Sequence, residues 1–171
     1  MGVERFKKGH LSMKKIFRLF SFLVAFFLFA SLAFAYPQKE SVVKRVVDGD
    51  TFVLKTGEKI RLIGVDTPEY DLKNHQIRFY GKEASEYSKK LLLGQTVRLE
   101  PDVKKKDKYN RFLAYVYLKN GTFVNLHLVE EGYAKARYYA PNGRYRKLFT
   151  EAEKKAKNLR KGLWNTSDHV K

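Results

Sequence analysis

Three short stretches of this 171-residue chain concentrate the side chains able to do chemistry. Asp50 follows Gly49 in an Asp-Gly-Asp turn. Asp66, Thr67 and Glu69 cluster just past a β-rich stretch, with Pro68 stiffening the backbone between them, and Arg61 lies five residues before Asp66. Arg111 ends the run Asp107-Lys108-Tyr109-Asn110-Arg111. Singly, each has an ordinary explanation. Asp-Gly-Asp is turn composition, Asp-Thr-Pro-Glu is a common helix start, and an arginine on a strand usually faces solvent. Together they make a sharper pattern. Three carboxylates with oxygen-only chemistry suit a hard cation, Ca²⁺ or Mg²⁺. Two guanidiniums suit a bidentate grip on phosphate. Carboxylates kept beside arginines can both hold a phosphodiester and activate water against it.

The elements that must position these groups are readable from periodicity and turn residues. Residues 42–47 are β-rich and end at Asp48-Gly49, a hairpin-turn dipeptide. Residues 51–55 form a second strand, and residues 59–65 a third, stopped by Pro68. Residues 70–80 are polar and irregular and are expected to form a loop. Ala84, Tyr87 and Leu91 share one face of a helix over 82–93 that Gly94 ends. Two more strands cover 96–101 and 112–118, a short helix covers 124–131 with Gly132 behind it, and a last helix covers 145–159. The apolar stripe of that last helix is Leu148, Phe149, Ala152, Ala156 and Leu159. Three strands, a helix, two strands and two helices predict an α+β, mainly β fold: a five-stranded, partly open OB-fold barrel with three helices. Such barrels commonly bind oligonucleotides on one face, an analogy at the level of fold only.

Composition bounds the partners. The net charge is +17, with 35 Lys plus Arg against 18 Asp plus Glu, which fits a polyanion: nucleic acid, acidic polysaccharide or an anionic membrane. Residues 1–18 carry six basic side chains, residues 19–35 carry no charge, and the segment ends Ala33-Phe34-Ala35. A basic start, an apolar middle and a small-residue exit predict a signal peptide over 1–35, cleaved after Ala35, and a folded domain over 36–171. Met13 is a second natural start. An uncleaved anchor is the competing reading, at the short edge of what spans a bilayer. The segment 36–171 keeps 29 basic and 17 acidic residues, a net of +12, so the basic bias belongs to the domain itself. Cysteine is absent, which excludes disulfides, thiolate metal sites and a cysteine nucleophile. His75, His127 and His169 have no ligand spacing, so zinc is rejected as well.

The stretches Val47-Asp48-Gly49-Asp50-Thr51, Arg61-Leu62-Ile63-Gly64-Val65-Asp66-Thr67-Pro68-Glu69 and Asp107-Lys108-Tyr109-Asn110-Arg111 resemble the three signature segments of the staphylococcal nuclease (thermonuclease) family. Order and spacing match, and the likeness extends over residues 41–164. Tyr80 to Ser85 resembles the family's helix start, and Gly162-Leu163-Trp164 a common family ending. The resemblance implies a calcium-dependent nuclease, secreted or periplasmic, that cleaves DNA and RNA to 3′-phosphate ends. It implies a Ca²⁺ site made by Asp50, Asp66 and the carbonyl of Thr67, with Glu69 as general base or water-positioning group and Arg61 and Arg111 on the scissile phosphate. Lys108 and Tyr109 match residues that contact the nucleotide phosphate. Tyr138 and Tyr139 lie where the family places two tyrosines at the base pocket. The segment around them is one residue shorter than the prototype's, and Tyr138 carries over more directly than Tyr139. Asn110 stands where glycine is common and should tolerate the left-handed turn. A monomer without stable membrane association is expected after signal cleavage. The alternative is a non-catalytic OB-fold nucleic-acid-binding module, a class that typically lacks the carboxylates present here.

Overall fold

A computed structural model describes residues 40–71, 76–77 and 80–165. The leader expected over 1–35, together with His75 and His169, lies outside them. The elements are β1 (Glu40–Val46), β2 (Thr51–Leu54), β3 (Lys59–Leu62), β4 (Val65–Asp66), β5 (Tyr70–Asp71), β6 (Gln76–Ile77), α1 (Gly81–Leu92), β7 (Thr96–Glu100), β8 (Phe112–Leu118), α2 (Val124–Glu130), β9 (Lys135–Ala136) and α3 (Arg146–Asn158), followed by a 3₁₀ turn, Gly162–Trp164. Among the described residues no helix is long and apolar enough to cross a membrane.

Five strands close into a barrel in the order β1-β2-β3-β8-β7. Antiparallel pairing of β1 with β7 closes it, where the sequence predicts a partly open barrel, and β3 and β8 run parallel. Apart from this closure the architecture is the expected OB-fold. The inward positions hold Val43, Phe52, Leu54, Ile60, Leu62, Val97 and Val116, all at most 2% exposed. Alternate β3 residues show the reason: Ile60 and Leu62 are buried while Lys59 and Arg61 point elsewhere, the period-2 pattern of a half-buried strand. Leu92, Leu128, Val129 and Ala152 bring all three helices onto the same core.

The third strand differs from expectation. The ladder stops at Leu62, and Gly64 turns the chain with φ +79°. Only glycine fits there: the conformation is left-handed, and a Cβ would overlap the Phe149 ring. The chain resumes as β4, paired with β9 instead of β8. Asn125, fully buried on α2, holds this kink. Its Nδ2 donates to Ile63 O at 2.8 Å and to Ala114 O at 3.3 Å, while its Oδ1 accepts from Val116 N at 2.9 Å. All its polar capacity is engaged, as a buried amide requires.

Residues 70–80, expected as loop, include the two-residue pairing of β5 with β6. On α3, Phe149, Ala152 and Ala156 are buried as expected, but Leu148 is 40% and Leu159 67% exposed. Leu148 stands next to Phe149 on the helix, about 100° around the axis, and so misses the core.

Candidate active site

Strand pairing assembles the first half of the site. Thr51 of β2 pairs with Arg61 of β3, and Arg61 pairs with Leu113 of β8, so three strands set Asp50, Arg61 and Arg111 close together. The turn carrying Asp50 is fixed on several sides. Leu62 N donates to Asp50 O at 3.0 Å, Asp50 N donates to Asp48 Oδ1 at 3.1 Å, and Ser88 Oγ of α1 donates to Gly49 O at 2.6 Å. Gly49 itself is pressed against Thr67, where a Cβ would lie 2.6 Å from Thr67 Oγ1.

Asp50 and Asp66 converge on one guanidinium. Arg61 Nη1 lies 2.9 Å from Asp50 Oδ2, and Nη2 lies 3.1 Å from Asp66 Oδ1. Nη1 also donates to Leu62 O at 3.1 Å and Val65 O at 2.8 Å, which locks the fork in plane. Asp50 accepts further bonds from Thr67 N and from the Thr51 hydroxyl, both at 3.0 Å. Burial nonetheless pushes the Asp50 carboxyl up to about 7; Arg61 pulls it down and the neighbouring Asp48 charge pushes it further up. Arg61 is shared by Asp50 and Asp66, and Arg137 adds its charge on the Asp66 side.

Arg111 is held by Asp107. Its Nε donates to Asp107 Oδ2 at 2.6 Å and its backbone N to Asp107 Oδ1 at 3.0 Å. Tyr109 N shares that Oδ1 at 2.9 Å, and Asn110 makes the turn with φ 60°, the left-handed backbone expected of it. Burial would raise the Asp107 carboxyl, but the Arg111 and Tyr109 hydrogen bonds and the Arg111 charge hold it below the usual range. Arg111 Nη1 reaches Thr51 Oγ1 at 3.5 Å, so one hydroxyl stands between Arg111 and Asp50.

Arg61 and Arg111 line one groove of about 470 Å³ with Lys108, Tyr109 and Tyr139. Tyr109 is 67% and Tyr139 58% exposed, rings available to a ligand. Tyr138 lies elsewhere, in an adjoining depression, with the Arg146 guanidinium 4.5 Å above its ring. Glu69 is exposed on the turn after Asp66 and does not line the groove; its carbonyl packs on Gly81 at the start of α1. Asp107, Thr51 and Asn125 are the residues the sequence reading missed. Asp107 had a signal, an acidic residue four before an arginine in a tight turn. Thr51 and Asn125 had none.

The donor set fits a hard divalent cation. Two carboxylates reach the two ends of the Arg61 fork, Thr67 N bonds one of them, and the side-chain donors are all oxygen. Among the described residues no group of three His, Cys, Asp or Glu that could hold a metal ion forms, so the protein itself would supply few ligands to a cation here.

Residues 59–166 match the family model for staphylococcal nuclease homologues. The chain is 49% identical over 126 residues to a thermonuclease of Staphylococcus intermedius, covering 72% of this chain and 74% of that one. It is 45% identical over 139 residues to a thermonuclease of Staphylococcus hyicus, covering 80% and 81%. The chain belongs to the staphylococcal nuclease family. Its class is therefore that of a nuclease, a hydrolase. The endonuclease YncB of Bacillus subtilis is 39% identical over 131 residues, 74% of this chain and 62% of that one. The closed five-stranded barrel with three helices agrees with this family's OB-fold.

Proposed function

We propose that this chain is an exported, calcium-dependent nuclease that hydrolyses DNA and RNA strands to 3′-phosphate ends. The observation that carries the reading is the convergence of Asp50 and Asp66 on Arg61, whose side chain lines one groove with Arg111. Asp50, Asp66 and the Thr67 carbonyl would hold the cation, which neutralises charge on the phosphate and lowers the barrier to attack. Export is supported by the leader-like residues 1–35.

The chain's own residues do the rest. The Arg61 and Arg111 forks take the nonbridging oxygens of the scissile phosphate and are already oriented, Arg61 by two carbonyls and Arg111 by Asp107. Charge that builds on those oxygens during attack then meets an Arg111 fork already aimed, while Arg61 exchanges its Asp50 and Asp66 contacts for the phosphate. Glu69, exposed on the turn after Asp66, would take the proton of the attacking water or position it; the water oxygen bonds phosphorus as the bond to the 5′-oxygen breaks, and the 5′-oxygen takes its proton from solvent water. Lys108 and Tyr109 hold the terminal nucleotide, and Tyr139 borders its base.

Hydrolysis of single-stranded DNA by chain 36–171, with Ca²⁺, Mg²⁺ or a chelator and with end-group analysis, tests the reading. Loss of cleavage in chelator and 3′-phosphate products support it. A salt-dependent affinity without products would favour the binding module instead.

A further inference from the structure

A second depression of about 370 Å³ adjoins the groove, and the two share Gly64 and Asn142 as a common wall. Its floor is apolar, from Tyr115 and Phe149, and its rim carries Arg137, Tyr138, Arg146 and Thr150. Arg137 connects the two spaces. Its backbone N is tied to Gly64 O at 2.9 Å, and its fully exposed guanidinium bonds the Tyr139 hydroxyl that borders the groove. Arg146 sits on the first turn of α3, exposed, with its guanidinium carbon 4.5 Å from the centre of the Tyr138 ring. Tyr138 in turn lies against Gly143, where a Cβ would stand 2.7 Å from the ring. A guanidinium stacked on an aromatic ring can keep its edge free to donate two parallel bonds, the geometry that phosphate recognition uses.

We propose that this depression is a second phosphate subsite, which takes the phosphodiester next to the scissile one along a single strand. The inference rests on the nuclease reading. Arg146 and Arg137 grip the flanking phosphate, and Tyr138 acts as a positioning residue that holds Arg146 in plane. The depression then makes the enzyme prefer a polynucleotide strand over a single phosphodiester, because a substrate with one phosphate cannot fill it. No acidic side chain is among the residues lining the depression; Asp66 acts on Arg137 from outside it, and Glu153 accepts from Ala136 N at 3.1 Å, so Arg146 is the rim guanidinium that a phosphate meets least opposed.

The test compares a dinucleoside monophosphate with an oligodeoxythymidylate of about twelve residues. Wild type should cleave both and favour the oligomer. Arg146→Ala should raise KM for the oligomer on the order of 5–30-fold with kcat little changed, and leave dinucleotide kcat/KM within about twofold. Tyr138→Leu should give a smaller rise of the same selective kind. Binding of the oligomer in chelator, followed against salt, should lose about 0.7 from its log–log slope in Arg146→Ala, and Arg146→Lys should restore that slope. Equal losses on both substrates, no loss on either, or an unchanged salt slope would overturn the subsite while leaving the nuclease reading intact. A wild type that cleaves neither substrate would overturn both.

Discussion

At the scale of single residues, the site consists of charged groups whose directions are set by neighbours with no chemistry of their own. Arg111 is aimed by Asp107, which also bonds two backbone N–H groups of the same turn. Replacing Asp107 by Asn should therefore lower kcat on the order of tenfold, with KM changed less, because the fork loses orientation and keeps its charge. Arg111→Lys should lose more activity than charge counting implies, since an ammonium cannot reproduce the planar two-oxygen grip. Wild-type cleavage by that variant would remove Arg111 from the mechanism. Glu69→Gln should lower the rate on the order of 10²–10⁴-fold, read in single-turnover assays, if the carboxylate takes the water's proton. The acidic and basic groups were legible in the sequence because their types and spacing are unusual together. Thr51 and Asn125 were not, because nothing in a lone threonine or asparagine announces that three strands will meet around it.

The elements explain how two distant stretches come to share one point. The β2–β3 hairpin places Asp50 beside Arg61, and the kink at Gly64 brings Asp66 back to the same guanidinium. A continuous third strand, as the sequence pattern predicts over 59–65, would carry Asp66 away along the sheet. The run Leu62-Ile63-Gly64-Val65 reads as strand because Leu62, Ile63 and Val65 are apolar, two of them β-branched, and they outweigh the single glycine. What breaks it is tertiary: Phe149, far off in sequence, occupies the space a side chain at 64 would need, and Asn125 takes the freed Ile63 carbonyl. Gly64→Ala should then destabilise the protein by about 2–4 kcal/mol, from left-handed strain plus overlap with the ring. Denaturant unfolding reads this directly, and a change under about 0.5 kcal/mol would show that the kink needs no glycine. The helix boundaries fell within a residue or two of expectation, since Gly94 and Gly132 mark the ends of α1 and α2.

The whole chain is a cation of net +17, of which +12 falls on residues 36–171, and the same surplus that can draw in a polyanion repels itself. Acidic residues tie the basic surface down. Asp102, its side chain 6% exposed, would be raised by burial, but bonds from Arg144 N, the Tyr115 hydroxyl and Val103 N, with the Arg144 charge, hold its carboxyl below the usual range. A depressed folded-state pKa contributes stability at neutral pH, where the unfolded carboxyl is also ionised, and that contribution fades as pH falls through the folded value. Asp102→Asn should therefore destabilise the protein at pH 7, and the gap to wild type should shrink below about pH 4. Thermal melts across that range measure it, and a gap independent of pH would assign Asp102 a purely steric role.

The central claim is that Asp50 and Asp66 hold a divalent cation at the point where Arg61 and Arg111 meet the phosphate. Cleavage of single-stranded DNA by chain 36–171, followed during Ca²⁺ titration after chelation and in parallel for Asp66→Asn, tests it most directly. The account predicts no cleavage in chelator, recovery with Ca²⁺ for the wild type, and recovery only at much higher Ca²⁺ for the variant. Equal cleavage with and without chelator, or a variant that recovers at the same Ca²⁺ concentration as wild type, would contradict it.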